Sequence, residues 1–284
     1  MNKKHSLIVL EILTALLFVI FMIPFAMVVI NSAKTAAEII ASPIGLPNSW
    51  MQLFVNIKTI FTNDTVNYIH SFASSIIITA ASLLLIALTS AMAAWVLVRN
   101  KSKVSTIIFM IFVAAMVIPF QVVMFPLLTW FRTVSTFSHI PLLMTYQGII
   151  LAYVGFGASL SIFMFHGFIK GIPLELEEAA TIDGCSRPQI FFQIVLPILK
   201  PIFVTVVILN GIWIWNDYLL PLLVLGSGGE IQTLPLAVAS FVGSYVKKWD
   251  LILTSALMAM LPAIVLFLFA QKQIVRGMVE GSIK

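Results

Sequence analysis

The sequence predicts an all-α integral membrane protein: six transmembrane helices, both termini in the cytoplasm, and a two-helix cytoplasmic loop between helices 4 and 5. Three observations predict it. Apolar residues make up 61% of the chain and charged residues 10%, against about 45–50% and about 25% in soluble domains. Six segments are long enough to cross a bilayer core, which takes roughly 20 apolar residues each. The basic residues collect in alternate loops, as the positive-inside rule requires of a membrane topology.

The first span covers 7–30 and follows Lys3 and Lys4. It is too long for the apolar part of a secretion signal and ends without a small-residue cleavage pattern, so it reads as an uncleaved first helix. An outer segment, 31–71, contains Pro43, Pro47 and Trp50, then an amphipathic stretch around 53–61. The second span, 72–98, runs into a tight basic turn holding Arg99, Lys101 and Lys103. The third, 104–128, carries Pro119, Gln121 and Pro126; the fourth, 142–165, carries Tyr146, Gln147, Gly155 and Gly157. Breaks of this kind are tolerated where a helix faces protein or a cavity. The fifth and sixth spans cover 202–225 and 251–270, separated by an outer segment that opens on a flexible glycine and serine run.

With the N-terminus inside, Lys3, Lys4, Arg99, Lys101, Lys103, Lys170, Arg187, Lys200, Lys272, Arg276 and Lys284 fall on the cytoplasmic side. Only Lys34, Lys58, Arg132, Lys247 and Lys248 fall outside. Membrane topology thus accounts for the net charge of +5, and a nucleic-acid partner is not implied. The single cysteine, Cys185, allows no intrachain disulfide.

The polar stretch between the fourth and fifth spans has helix signals of its own. Pro173 suits a first turn, and Glu175, Glu177 and Glu178 follow where negative charge favours the positive end of a helix. Gly184 is placed to end that helix in a left-handed conformation. Ser186 and Gln189 form a capping-box pattern for a second helix. This one is expected to run to about Leu196 and to be broken by Pro197 and Pro201.

The same stretch carries Glu178-Ala179-Ala180, Gly184 after three residues, Ile194 after nine more, then Leu196-Pro197. This resembles the EAA loop of ATP-binding-cassette importer permeases at every position and gap. The resemblance extends through Asp183-Gly184, Lys200-Pro201, Trp215-Asn216-Asp217, Thr233-Leu234-Pro235-Leu236, Leu261-Pro262 and the tail from Gly277 to Lys284. It is similar there to carbohydrate permeases of the maltose-importer type, in particular their smaller six-helix subunit. The resemblance implies a single permease domain over 1–284, with its core over about 70–275 and the coupling loop over 166–200. It implies that Glu178, Ala179, Ala180, Asp183, Gly184, Ile194, Leu196 and Pro197 couple the chain to a separate ATPase dimer. The other implied partners are a second permease subunit, an extracytoplasmic sugar-binding protein and the lipid bilayer of a bacterial cell membrane. It also implies that the tail reaches toward the ATPases.

No glycine is followed by lysine, so the chain has no phosphate-binding loop and cannot hydrolyse ATP by itself. The four histidines fall in separate segments, and neither a metal site, a cofactor nor a catalytic residue is expected. Polar groups inside spans are costly unless they face protein or water. Asn210, Trp213, Asn216 and Asp217 are therefore candidates for the substrate pathway, with Gln121 and Gln147 behind them. Aromatic, amide and carboxylate groups suit sugars, and Trp near a helix end equally suits the membrane interface. An importer of a non-sugar solute would keep the same loop. A secondary transporter would need mid-membrane carboxylates and inverted repeats, which the sequence does not display.

Overall fold

The computed structural model describes residues 3–63, 66–242 and 248–282, and these are helical apart from turns and loops. Two compact units divide the chain, one formed by Met1–Ile69 with Ala237–Pro262 and the other by His70–Leu236 with Ala263–Lys284.

The first unit begins with α1 (Lys3–Ser32), followed by α2 (Ala36–Ala41) and α3 (Gln52–Phe61). The amphipathic stretch expected around 53–61 is α3. No part of the apolar window of α1 is buried, so its side chains require a lipid or protein surround. Polar groups at the end of α1 are turned inward instead. Asn56 donates to the carbonyls of Ser32 and Lys34, both at 3.0 Å, and Thr254 donates to Ser32 at 3.0 Å. Each bond satisfies a carbonyl that the helix end leaves open. Thr254 belongs to the long terminal helix, α14 (Trp249–Ser282), numbered after the helices of the second unit.

The second unit takes up α4 (Tyr68–Arg99) after its first turn and adds α5 (Lys103–Ala115), α6 (Phe120–Ser138) and α7 (Tyr146–Ile169). Then come α8 (Glu175–Ile182), α9 (Arg187–Ile190), α10 (Leu196–Ile198), α11 (Lys200–Asn216) and α12 (Leu219–Leu225). The short α13 (Leu234–Ala239) begins at its end. α7 is the centre of this unit, half buried along its apolar window and packed by α5, α11 and α12. One apolar cluster gathers Ile86, Ile149, Tyr153, Ile214 and Val224; a second gathers Ala91, Phe165, Ala180, Phe191 and Val206.

Three helices, in α1, α4 and α7, are long and apolar enough to cross a membrane alone, and up to five crossings result if each bent pair counts as one. α14 contributes the shorter apolar helix Trp249–Val265. Two of the six expected spans differ from single rods. The third is bent by 109° between α5 and α6. There the chain leaves the helix through a tight turn at Met116–Ile118, and Pro119 is extended at ψ 139. A proline has no N–H to continue the ladder and disfavours helical geometry in the residue before it. The fifth stops at Asn216, because Asp217 turns extended at ψ 130 and its carboxylate accepts from the Leu219 N–H at 3.1 Å, so that α12 begins separately.

Candidate functional site

α8 and the segment after it form the loop that the sequence singles out. Glu175, Glu177 and Glu178 lie in the first turn of α8. Pro173 precedes that turn instead of occupying it, since Leu174 already accepts the first helical bonds from Glu177 and Glu178. The helix ends in a Schellman motif: Gly184 has φ +83, its N–H bonds the Thr181 carbonyl at 3.1 Å, and the Cys185 N–H bonds the Ala180 carbonyl at 2.9 Å. Gln189 Oε1 then accepts from the backbone N–H and the hydroxyl of Ser186, at 2.7 and 2.8 Å, closing the expected cap on α9.

The second helix runs over Arg187–Ile198, two residues past the expected Leu196, and the expected break follows as a turn of 77° into α11. Phe191–Val195 forms a π-helical turn, in which the Leu196 N–H reaches the Phe191 carbonyl five residues back. This wider turn is the local adjustment that lets Pro197, with no N–H and a bulky ring, remain in the helix.

Burial divides the predicted coupling residues into two sets. Glu178, Ala179, Asp183, Gly184 and Pro197 are exposed. Ala180 is buried, and Ile194 and Leu196 pack partly against the apolar cluster that includes Phe165 and Phe191. Ile182 stands 86% exposed beside the first set, an apolar tip with nothing to cover it. The loop therefore has an anchored face and a free face.

What fastens the anchored face is a polar contact that sequence reading missed. Glu177 is buried, with Arg99 Nη2 at 2.7 Å from its Oε1. Arg99 Nε donates to the same oxygen at 2.8 Å, and Trp95 Nε1 donates to Oε2 at 2.9 Å. Arg99 also donates to the Ile172 carbonyl at 3.1 Å. Trp95 meets the Phe191 ring at 5.4 Å between centroids. Both carboxylate oxygens are thus satisfied, the condition under which a buried ion pair is tolerated. The available signal was Trp95 four residues before Arg99, on one face of a helix end.

The candidate pathway residues separate in the same way. Asn210 is 3% exposed; its amide donates to Ser161 at 3.1 Å and to the Val206 carbonyl at 2.9 Å, joining α11 to α7. Trp213 is partly exposed and meets Tyr153 edge-to-face at 5.4 Å. Tyr153, fully buried, donates to Asp217 at 3.1 Å. The structure so brings Trp213 and Asp217 together through Tyr153, a residue the sequence did not single out. Asn216 is exposed and donates to the Ile212 carbonyl at 2.8 Å. Gln147 is exposed and donates to the Pro141 carbonyl at 2.9 Å. Gln121 is exposed near the start of α6 and joins neither group. A cleft of about 600 Å³ between α5, α6 and α7 has Met116, Phe120, Trp130 and Phe156 in its wall and no charged lining residue.

Apolar helices of membrane-spanning length, joined by a helical elbow held on a polar anchor, define a helical membrane protein. Residues 86–280 match the family of binding-protein-dependent transport system inner membrane components, and the chain belongs to that family. It is 42% identical over 282 residues to the probable starch degradation products transport system permease protein AmyC of Thermoanaerobacterium thermosulfurigenes, covering 99% of this chain and 97% of that one. It is 38% identical over 216 residues to the melibiose/raffinose/stachyose import permease protein MelC of Bacillus subtilis, covering 76% of each. Its fold is similar to that of a bacterial ABC transporter involved in the import of the acidic polysaccharide alginate. That likeness has a TM-score of 0.79 at 18% identity, over 95% of this chain and 97% of that one.

Proposed function

We propose that the chain is the membrane-spanning permease subunit of an ATP-driven, binding-protein-dependent importer of sugars or oligosaccharides. The observation that carries this reading is the two-faced loop within a chain of this family: Glu177 turned in to Arg99, and Glu178, Ala179, Ile182 and Asp183 turned out. The relatives named above, permeases for starch products and for melibiose, raffinose and stachyose, favour carbohydrate cargo over another solute.

In this reading 1–284 is one permease domain with six crossings and both termini in the cytoplasm of a bacterial cell. The loop over 166–200 docks on an ATPase dimer, and a second permease completes the pathway. A sugar-binding protein delivers cargo to the outer loops. ATP hydrolysis belongs to the partner chains. Closure of the ATPases moves the loop and shifts the paired permeases between inward- and outward-facing states, a two-state equilibrium biased by contacts at the loop. Trp213, Asn216 and Asp217 are proposed to face the pathway, and Asn210 to hold the helices that line it. Gln121 and Gln147 remain weaker candidates. The tail is proposed to reach the ATPases; Ile283 and Lys284 lie outside the described residues.

The test is a mild-detergent pull-down of the tagged chain from its native membrane, with co-purifying subunits identified by mass. Recovery of an ATPase and a second permease is expected from the wild type. Loss of the ATPase is expected from Ile182→Asp, with the chain still in the membrane. A wild-type chain recovered alone and monodisperse would overturn the proposal.

A further inference from the structure

The segment that follows α1 reverses the usual order of polar and apolar groups. Ile40, Ile44, Leu46, Met51 and Phe54 are exposed by 72, 80, 73, 67 and 62%, with Trp50 at 51% among them. Between residues 40 and 55 there is no charged side chain. Glu38, just before, accepts the Asn48 N–H at 2.7 Å, closing the loop that carries three of these residues. The polar groups point the other way. Lys34 is completely buried; its ammonium donates to Asn31 Oδ1 at 2.9 Å and to the Ser42 carbonyl at 2.8 Å. Asn56, on the opposite side of α3 from Phe54, is buried on the carbonyls of Ser32 and Lys34. Asn31 donates to the Pro43 carbonyl at 3.0 Å. The backbone of this segment is thereby fixed with its apolar side chains outermost.

Such a surface is unfavourable against water, since exposed apolar patches of this extent mark an interaction site. Burying an ammonium while exposing isoleucine and phenylalanine is unfavourable twice over in water. A lipid surface removes the contradiction. Amphipathic elements with Trp, Phe and Leu on one face lie in the plane of the headgroups with that face sunk toward the acyl chains, and Trp is favoured at that depth. The place in the chain agrees, because α1 has an unburied apolar surface and ends at Ser32, directly before the segment.

We propose that residues 40–55 form an interfacial anchor, laid into the phospholipid headgroup region of the leaflet at which α1 ends. This is the outer leaflet in the orientation proposed above. The inverted knot around Lys34 holds the anchor at a fixed angle to α1, so the end of that helix cannot slide along the membrane normal while other helices move. The proposal requires that α1 cross the bilayer, and it is independent of the cargo.

The experiment uses the full chain, with the subunits that co-purify with it, in phosphatidylcholine nanodiscs. Met51→Cys in a Cys185→Ala chain is labelled with bimane, and Phe54→Cys serves as a second site. Lipids carrying a doxyl group near the top of the acyl chain are expected to quench the emission, since the apolar face of an interfacial element lies at that depth, and aqueous iodide is expected to leave it unchanged. Iodide quenching without doxyl quenching at both sites would overturn the proposal and place the patch in water. Protection from both quenchers would overturn it in favour of a protein cover. Loss of doxyl quenching on adding the binding protein would overturn the fixed anchor, because the patch would then leave the lipid when that protein docks.

Discussion

Arg99 Nη2 stands 2.7 Å from Glu177 Oε1, with the two side chains 16% and 9% exposed, and joins the last residue of α4 to the first turn of α8. Glu177 and Glu178 are adjacent, so a helix directs them about 100° apart. Only one of them can serve the anchored face. The pair resolves two acids of equal sequence appearance into one that ties α8 to α4 and one that is exposed.

Removing that tether should uncouple the loop without unfolding the chain. Glu177→Ala leaves the Arg99 guanidinium and the Trp95 N–H without their acceptor, a loss of roughly 2–3 kcal/mol for hydrogen bonds to a charged group. Uptake is expected to fall about tenfold or more, while ATP hydrolysis by the assembled complex falls less. The ratio of the two rates is the readout, and equal falls would show that Glu177 does not position the loop. An Arg99→Ala, Glu177→Ala double variant should lose less than the sum of the singles, because neither charge is then left stranded.

Gly184 makes a conformational prediction. A Cβ there would meet nothing within 4 Å, so any local cost comes from φ +83 alone. Asn, which adopts the left-handed region readily, should be tolerated best; Ala should cost about 1 kcal/mol, and Val should cost more. Protease resistance of the 175–190 segment in the purified chain gives the ranking. A chain in which Val is tolerated as well as Asn would contradict the Schellman geometry.

Two glycines on α7 should behave oppositely. A Cβ on Gly157 would lie 2.6 Å from Ile86 Cδ1 and 2.8 Å from Asn210 Oδ1, whereas one on Gly155 would meet nothing within 4 Å. Gly157→Ala is expected to destabilise the chain by about 1–3 kcal/mol through forced repacking, and Gly155→Ala to be neutral or slightly stabilising. Thermal melting in detergent distinguishes them. Equal melting points would mean that α7 and α11 do not pack as closely as described.

Tyr153→Phe removes the hydrogen bond from α7 to Asp217, at the break after α11. The expected cost is about 1 kcal/mol, and a Tyr153→Phe, Asp217→Asn cycle should return a coupling of the same size. If sugar meets Trp213 and Asp217, both single variants should raise the half-saturating sugar concentration for uptake. A change in stability with unaltered sugar dependence would restrict the pair to a structural role.

The elements legible in the sequence were those written in local chemistry. Gly184 as a left-handed terminus and Ser186 with Gln189 as a cap are fixed by residues within one turn, and both form. The prolines of the third span marked a break there, but neither the angle of that break nor the interruption of the fifth span was legible, because hydropathy reports length and does not report direction. Pro119 sets the sharp bend between α5 and α6, and the Asp217 carboxylate sets the break before α12. The break expected around Pro197 falls two residues later, after Ile198, because a π-helical turn at Phe191–Val195 accommodates the proline, an adjustment with no signature in composition.

Composition, span length and the spaced Glu178–Pro197 pattern determined by themselves that this is a helical membrane protein with a permease-type loop. Burial of apolar length and local capping require no knowledge of neighbours. Tertiary structure alone decided which polar groups face inward. Glu177 rather than Glu178 meets Arg99, Asn210 turns to Ser161, Tyr153 meets Asp217, and Lys34 is buried beneath an apolar surface. In a chain so poor in charge, each polar side chain must find a partner or water, and the partners lie 49 to 78 residues away for the first three. Only the packing of whole helices brings them within reach.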